Sequence, residues 1–324
     1  MRCLVRLLAL APLLALSISV AAQERPAGYP NRPVKIVVPF PAGGPSDVLA
    51  RMIGQKLTED WGQPVIVENR PGANTVLAAQ QVVKAAPDGY TLLYATNTAF
   101  NWVPATRKQP PYNPVADFTP VSLIGYFGFF LFTNPSVPAT TVAELLAYAR
   151  ANPGKLNAGT GNSTSQLLTA QLADLEKLDI VPVPYKGDAP LTIDLLGGRV
   201  QMAFATPGSA APQVKEGKLR ALAAMFPNRS PLLPEVPTAA EAGLGKLSIT
   251  AWGGVFGPAR MPKEVVDRLA RELATVLQRP DVREAFGKIA FGPKHSTPDE
   301  LAAFLKVQME AWRRTAESVG IKPE

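Results

Sequence analysis

Runs of four to eight apolar residues alternate along this chain with stretches whose apolar positions recur every three or four residues. The short runs predict strands at Lys35–Val38, Val65–Glu68, Thr91–Thr96, Val121–Ile124, Leu131–Asn134, Ile180–Pro184, Val200–Ala205, Leu219–Met225 and Ile249–Phe256. The longer stretches predict helices: Leu49, Ile53 and Leu57 make one apolar stripe, and Val266, Leu269, Leu273 and Val276 another. Thr141-Val-Ala-Glu144, Thr238-Ala-Ala-Glu241 and Thr297-Pro-Asp-Glu300 each fit the capping box that opens a helix. Alternation of this kind predicts an α/β fold whose sheets are mostly parallel and flanked by helices.

Two stretches repeat one plan of apolar strand, glycine-rich turn and helix. The first is Val34 to Leu57, with the turn Pro39-Phe-Pro-Ala-Gly-Gly-Pro45 and Ser46 as the expected N-cap. The second is Leu156 to Leu178, with Gly159-Thr-Gly-Asn-Ser-Thr-Ser165 running into the helix. Such a turn aims unpaired backbone N–H groups and the positive end of a helix dipole at one point, which favours an anion. Facing each other across a cleft, the two turns would clamp a small carboxylate. The candidates are Phe40, Ala42, Gly43, Gly44 and Ser46 on the first turn, and Thr160, Gly161, Asn162, Ser163, Thr164 and Ser165 on the second. Three or four charge-assisted hydrogen bonds of about 1.5–3 kcal/mol each suit micromolar binding after association costs.

The first turn is neither a dinucleotide fingerprint nor a Walker loop, since no Lys-Ser/Thr follows its glycines, and Pro45 removes one donor. A plain strand-to-helix turn is its other reading, as a solvated polar loop is for the second. Asp47 would repel a carboxylate if it pointed inward, so it reads as a residue that stabilises its own helix. Tyr185 and Lys186 lie at a further strand–helix junction, where Lys186 either pairs with a ligand carboxylate or sits on the surface. Thr96, Asn97 and Thr206 end strands at the same expected sheet edge. Trp252 and Phe100 either wall the cleft or belong to the core.

Residues 1–22 have the form of a secretory signal. Arg2 and Arg6 precede the apolar run Leu7 to Val20, and Val20-Ala-Ala22 supplies a small-residue cleavage site. Its loss near Ala22 would leave an exported, periplasmic protein and lower the net charge from +7 to +5. It would also remove Cys3, the sole cysteine, so the mature chain is expected to have no disulfide and no thiol chemistry. Basic residues are scattered without aromatic interleaving, which argues against a nucleic-acid partner. His295, the sole histidine, lies far from any Gly-x-Ser-x-Gly elbow, so neither a Ser-His-Asp triad nor a zinc site has its parts. No catalytic residue, metal or cofactor is expected.

The 324 residues suffice for two cores. Two proline-dense segments, Pro110 to Pro120 and Ser230 to Pro237, are the expected crossings between lobes. One lobe would then comprise 23–124 and 238–324, and the other 125–237.

The chain resembles the Bug-type (TctC-type) substrate-binding receptors of tripartite tricarboxylate transporters. The resemblance is carried in order by Val37-Val-Pro-Phe-Pro-Ala-Gly-Gly44, Val67-Glu-Asn-Arg-Pro-Gly-Ala73, Ala86-Pro-Asp-Gly-Tyr-Thr-Leu-Leu93, Asp117-Phe-Thr-Pro-Val121, Ala151-Asn-Pro-Gly-Lys-Leu-Asn157, Val183-Pro-Tyr-Lys-Gly187, Leu195-Leu-Gly-Gly198 and Pro231-Leu-Leu-Pro-Glu-Val-Pro-Thr238. It implies a two-lobed periplasmic-binding-protein (Venus flytrap) fold, and a monomer that closes on a small carboxylate ligand and delivers it to membrane transporter subunits. It also implies that residues 40–46 hold one carboxylate and that 160–165 complete the site.

Several positions depart from the family pattern. Asn74, Thr75 and Val76 stand where Gly-Gly and Asn are usual, giving up backbone freedom beside the site. Gln166 and Phe100 stand where histidines are frequent, and Ala205 stands where an aspartate is common. Loss of that aspartate removes an acceptor, so the expected ligand is an apolar-bodied or aromatic carboxylate rather than an amino acid. Two other functions fit the same chain: a sensor that presents its ligand to a kinase ectodomain, and a periplasmic hydrolase, which the missing histidine chemistry disfavours.

Overall fold

The computed structural model describes residues 28–226, 228–247 and 251–323. The expected signal peptide, and Ile249 at the start of one expected strand, lie outside them. The first half of the chain reads β1 (Val34–Val38), α1 (Pro45–Trp61), β2 (Val65–Asn69), α2 (Val76–Val83), β3 (Thr91–Thr96), α3 (Val103–Thr106), β4 (Phe118–Phe127), β5 (Phe130–Thr133) and α4 (Val142–Ala151). It continues with β6 (Leu156–Thr160), α5 (Ser163–Glu176), β7 (Ile180–Pro184), α6 (Asp188–Leu196), β8 (Met202–Ala205), α7 (Pro207–Lys215) and β9 (Arg220–Ala224). Last come β10 (Ala251–Pro258), α8 (Lys263–Gln278), α9 (Pro280–Gly287), β11 (Phe291–Pro293) and α10 (Pro298–Ser318). A π-helical turn, Thr98–Trp102, joins β3 to α3.

These strands form two sheets, in the orders β11-β4-β10-β3-β1-β2 and β7-β6-β8-β5-β9. In the first sheet β1, β2, β3 and β4 point one way; β10 is inserted antiparallel between β3 and β4, and β11 lies antiparallel on the outer edge of β4. In the second, β6, β7, β8 and β9 share a direction and β5 is inserted antiparallel between β8 and β9. The inserted strands β5 and β10 are those that enter each sheet from the other. The two lobes therefore share a strand order, and the carboxyl ends of their parallel strands carry the glycine-rich turns.

Period-two alternation puts successive residues of a strand into different cores. Val34, Ile36 and Val38 of β1 pack with Leu49, Ile53, Leu269 and Leu273 of α1 and α8, while Val37 faces Ala79, Val82 and Leu301 of α2 and α10. In the second lobe Leu131 packs with Leu167 and Leu172 of α5, and Phe130 and Phe132 with Leu191 and Leu195 of α6. The last helix links the lobes. Leu301 and Leu305 belong to a first-lobe core, whereas Trp312, edge-on to Trp102 at 6.4 Å, belongs to a second-lobe core.

Several expectations need correction. The chain passes from one sheet to the other at Gly128–Phe129 and back between Ala224 and Ala251; of the proline-dense segments expected as crossings, one lies ahead of the first passage and the other within the second. The first of those segments leads into β4, with Tyr112 in a first-lobe core; the second packs Leu233 and Val236 into a second-lobe core. Helix α1 is capped by Gly44 rather than Ser46, because Pro45, with its fixed φ and missing N–H, takes the first helical position. Thr238 and Glu241 form both bonds of a capping box, yet Gly243 and a run of turns follow in place of a helix. Of the two readings open for Phe100 and Trp252, the core one holds, since both are fully buried: the Phe100 ring lies 4.7 Å from Phe118 and 4.6 Å from Phe256, and Trp252 Nε1 donates to Asn101.

Candidate ligand-binding cleft

At the end of β1 the chain turns through Phe40 to Gly44, with Ala42 and Gly43 exposed and Gly43 at φ +81°. Asp47, buried in the first turn of α1, folds back on this loop: its carboxylate accepts from the Gly43 N–H at 2.9 Å and from Asn69 Nδ2 at 2.8 Å. Arg51, one helical turn on, places Nε 2.9 Å from the same carboxylate. Burial alone would push the Asp47 carboxyl up, but the hydrogen bonds from Arg51, Gly43 and Asn69 together hold it below the ordinary carboxylate range. Asn69 also donates to the Phe40 carbonyl at 3.1 Å, fixing the loop to β2. Asp47 is thus structural, as the sequence suggests, but it braces the turn where only its own helix was expected to gain, and its charge is matched by Arg51. Among the described residues the N–H groups of Gly44, Ser46 and Asp47 remain unpaired.

Beside this turn, Ala73, Asn74 and Thr75 all have positive φ (48°, 52° and 75°). The chain takes left-handed backbone here without a glycine, and β-branched Thr75 is the least suited of the three. The Thr75 hydroxyl donates to the Asn74 carbonyl, tightening the loop.

In the second lobe Asn162 caps α5 and forms a capping box with Ser165: Ser165 N–H donates to Asn162 Oδ1 at 3.0 Å, and Asn162 N–H to Ser165 Oγ at 3.1 Å. The other hydroxyls of the loop also meet protein partners. Thr160 Oγ1 lies 3.4 Å from the Val183 carbonyl. Ser163 Oγ is 2.8 Å from Thr98 Oγ1, and Thr164 Oγ1 accepts from Asn97 Nδ2 at 2.8 Å. These last two contacts join the lobes, so Asn97 and the π-helical turn meet the amino end of α5 directly. The Ser163 and Thr164 N–H groups are left as unpaired donors among the described residues. Thr96 ends β3 beside this junction with its hydroxyl buried and unpartnered.

Of the remaining candidates, Tyr185 turns its hydroxyl to Asp194 at 2.9 Å, and Lys186 is exposed with no ion pair among the described residues. Thr206 is held by a residue that sequence reasoning missed. Asp188, the first residue of α6, accepts from the Thr206 N–H at 3.0 Å, from Thr206 Oγ1 at 2.5 Å and from Asn162 Nδ2 at 3.2 Å. One carboxylate therefore ties together the amino ends of α5, α6 and α7. It presses on Gly161, where a Cβ would fall 2.4 Å from Asp188 Oδ1, so only glycine fits. Burial pushes the Asp188 carboxyl up, outweighing the hydrogen bonds from Thr206 and Asn162, and no neighbouring cation contributes.

His295 is exposed, paired with Gln278 at 3.1 Å, and no group of three His, Cys, Asp or Glu among the described residues could hold a metal. No described helix is long and apolar enough to cross a membrane. Two surface hollows of about 350 and 300 Å³, one around Arg32 and Tyr90 and one between Phe226 and Pro293, include no residue of the 40–46 or 160–165 turns.

The model of the tripartite tricarboxylate transporter family receptor matches residues 49–321. The chain belongs to that family. Protein BugT of Bordetella pertussis is 33% identical over 320 residues, covering 98% of both chains. A Rhodopseudomonas palustris protein solved with adipate, Rpa4515, superposes with a TM-score of 0.85 at 33% identity, covering 92% of this chain and 100% of that one. MatC of the same organism, solved with bound malate, gives a TM-score of 0.78 at 32% identity over 89% of this chain and 99% of that one. The fold is thus the two-lobed one of the periplasmic binding proteins, and members of the family are substrate-binding receptors rather than enzymes.

Proposed function

We propose that this protein is an exported solute receptor that captures a small carboxylate between its lobes and delivers it to the membrane subunits of a tripartite tricarboxylate-type transporter. The observations that carry this reading are the contact of the amino end of α5 with Asn97 and Thr98 of the other lobe, and the backbone N–H groups left unpaired among the described residues at the amino ends of α1 and α5. Adipate and malate bound to two relatives of similar fold support the ligand class. The ligand carboxylate sits against Gly43, Gly44 and Ser46, with Phe40 and Ala42 shaping the turn and Thr75 bracing it from the side. Ser163 and Thr164 complete the site from the other lobe; Thr96, Asn97, Thr160, Gly161, Asn162, Ser165 and Thr206 position them. Lys186 at the rim adds long-range attraction for an anion. The pattern of residues 1–22 supports a periplasmic location.

A thermal-shift screen of the purified receptor against mono-, di- and tricarboxylates tests the proposal. A ligand at about 100 times its Kd adds roughly 2.7 kcal/mol to folded-state stability. A clear shift with a carboxylate, and none with the corresponding amide, is expected. Equal shifts from acid and amide would remove the anion from the site.

A further inference from the structure

The sequence suggests that Ala205 deprives this cleft of an acceptor for a ligand's cationic group. The structure returns one from another element. Ala205 is fully buried, but the next residue, Thr206, is bound through both its N–H and its hydroxyl to Asp188. We propose that Asp188 makes this receptor selective for carboxylates whose far end carries a hydrogen-bond donor, an ammonium foremost, over dicarboxylates of the same length. The inference rests on the receptor reading above.

Three observations carry it. First, Asp188 sits where the amino ends of α5, α6 and α7 meet, at the carboxyl ends of β6, β7 and β8, the sheet edge at which α/β folds bind ligands. Second, it occupies donors that a second ligand carboxylate would need, namely the Thr206 N–H, the Thr206 hydroxyl and the Asn162 amide. An anion arriving there finds these donors already engaged. Third, among the described residues the acid lacks the cation that its counterpart Asp47 has in Arg51, and Lys186, two residues away, makes no ion pair. A carboxylate held by neutral donors alone favours the partner that brings a positive charge or a proton.

The test is calorimetric titration of the purified, ligand-stripped receptor with three matched sets of acids. These are butyrate, 4-aminobutyrate and succinate; hexanoate, 6-aminohexanoate and adipate; benzoate, 4-(aminomethyl)benzoate and terephthalate. In the set that fits best, the amino acid is expected to bind at least tenfold more tightly than the diacid. Asp188→Asn and Asp188→Ser should each bring that ratio to threefold or less, with circular dichroism unchanged. Two variants are needed, because the asparagine amide faces the Asn162 donor while serine leaves that space open. A diacid preferred by wild type, at a ratio neither variant alters, overturns the inference and leaves the receptor reading standing. Failure of all nine acids to bind overturns the carboxylate reading beneath it.

Discussion

Each lobe keeps an aspartate where a helix begins at the carboxyl end of its sheet, and the two acids live under opposite conditions. Asp47 takes the Gly43 N–H and the Asn69 amide but answers to Arg51, so the first turn can present its remaining donors without net negative charge. Asp188 takes two donors from Thr206 and one from Asn162, with no cation among the described residues to balance it. Their ionisation follows, Asp47 held low and Asp188 pushed high. Two turns that look alike as strand–glycine–helix therefore differ in electrostatic character: the acid beside the first is balanced by an arginine, and the acid beside the second is held by neutral donors. Glycine content and helix position alone do not distinguish them. The placement of one arginine does.

The largest expected effects come from the glycines on either side of this contrast. Gly43→Asp puts a second, uncompensated acid into the first lobe, where a Cβ meets nothing within 4 Å and aspartate tolerates the positive φ better than most residues. The protein should stay folded and lose carboxylate affinity by 100-fold or more, about 3 kcal/mol. Gly161→Ala should damage folding as well as binding, because its methyl collides with Asp188 and with the Gly187 backbone at 2.9 Å. Melting curves together with titrations separate the two. Full affinity in a folded Gly43→Asp protein would mean that the ligand lies elsewhere.

Legibility in the sequence divides along the same line. Strands and their order along the chain follow from local alternation, and Thr91–Thr96 and Ile180–Pro184 match residue for residue. The turn at Phe40 and the hydroxyl-rich loop at Gly159 are readable because strand, glycines and helix lie within a dozen residues. The three residues of β11 carry too little pattern, and the π-helical turn at Thr98 depends on packing against α5 and α10. Asp188 was missed because an acid in the first turn of a helix normally serves its own dipole. Its real partners are Thr206, 18 positions on, and Asn162, 26 positions back. The one local hint is Gly187-Asp188 after a strand, which read as a junction for Lys186.

Removing the arginine should make the first lobe resemble the second. Arg51→Met leaves Asp47 held by the Gly43 N–H and Asn69 alone, so its carboxyl rises and its charge is no longer offset. A loss of carboxylate affinity of roughly tenfold is expected, discounted from a full buried pair because the arginine is half exposed. Restoration of affinity by Asp47→Asn in the same chain would fix the cause as charge. If Arg51→Met alone leaves affinity intact, charge balance in the first turn is irrelevant.

The two acids should also impose opposite slopes on stability against pH. Asp47 has a lowered folded pKa, so the stability it contributes is present above the unfolded value near 4 and is lost as pH falls through the lower, folded one. Asp188 has a raised folded pKa, so the folded protein holds its proton longer than the unfolded chain. Its contribution declines as pH climbs from about 4 through that raised value. Urea denaturation across this window should show Asp188→Ser losing less stability with rising pH than wild type. Parallel curves would show that Asp188 titrates as an ordinary acid.

The smallest effect concerns the seam between the lobes. Ser163 and Thr98 meet through their hydroxyls at 2.8 Å, one step from the Thr164–Asn97 contact, where the amino end of α5 touches the first lobe. The sequence suggests a Ser163 hydroxyl facing the ligand, and the structure adds a protein partner to it. A double-mutant cycle of Ser163→Ala and Thr98→Val separates these roles, because two hydroxyls that serve only each other are coupled and then silent. Unfolding in the absence of ligand should give a coupling of about 0.5–1.5 kcal/mol. Ser163→Ala should cost a further 1 kcal/mol or so in ligand affinity if the hydroxyl also touches the carboxylate. Coupling without any change in affinity would leave the backbone N–H groups of Ser163 and Thr164 as the second lobe's hold on the anion, and would make the selectivity of that lobe rest on Asp188.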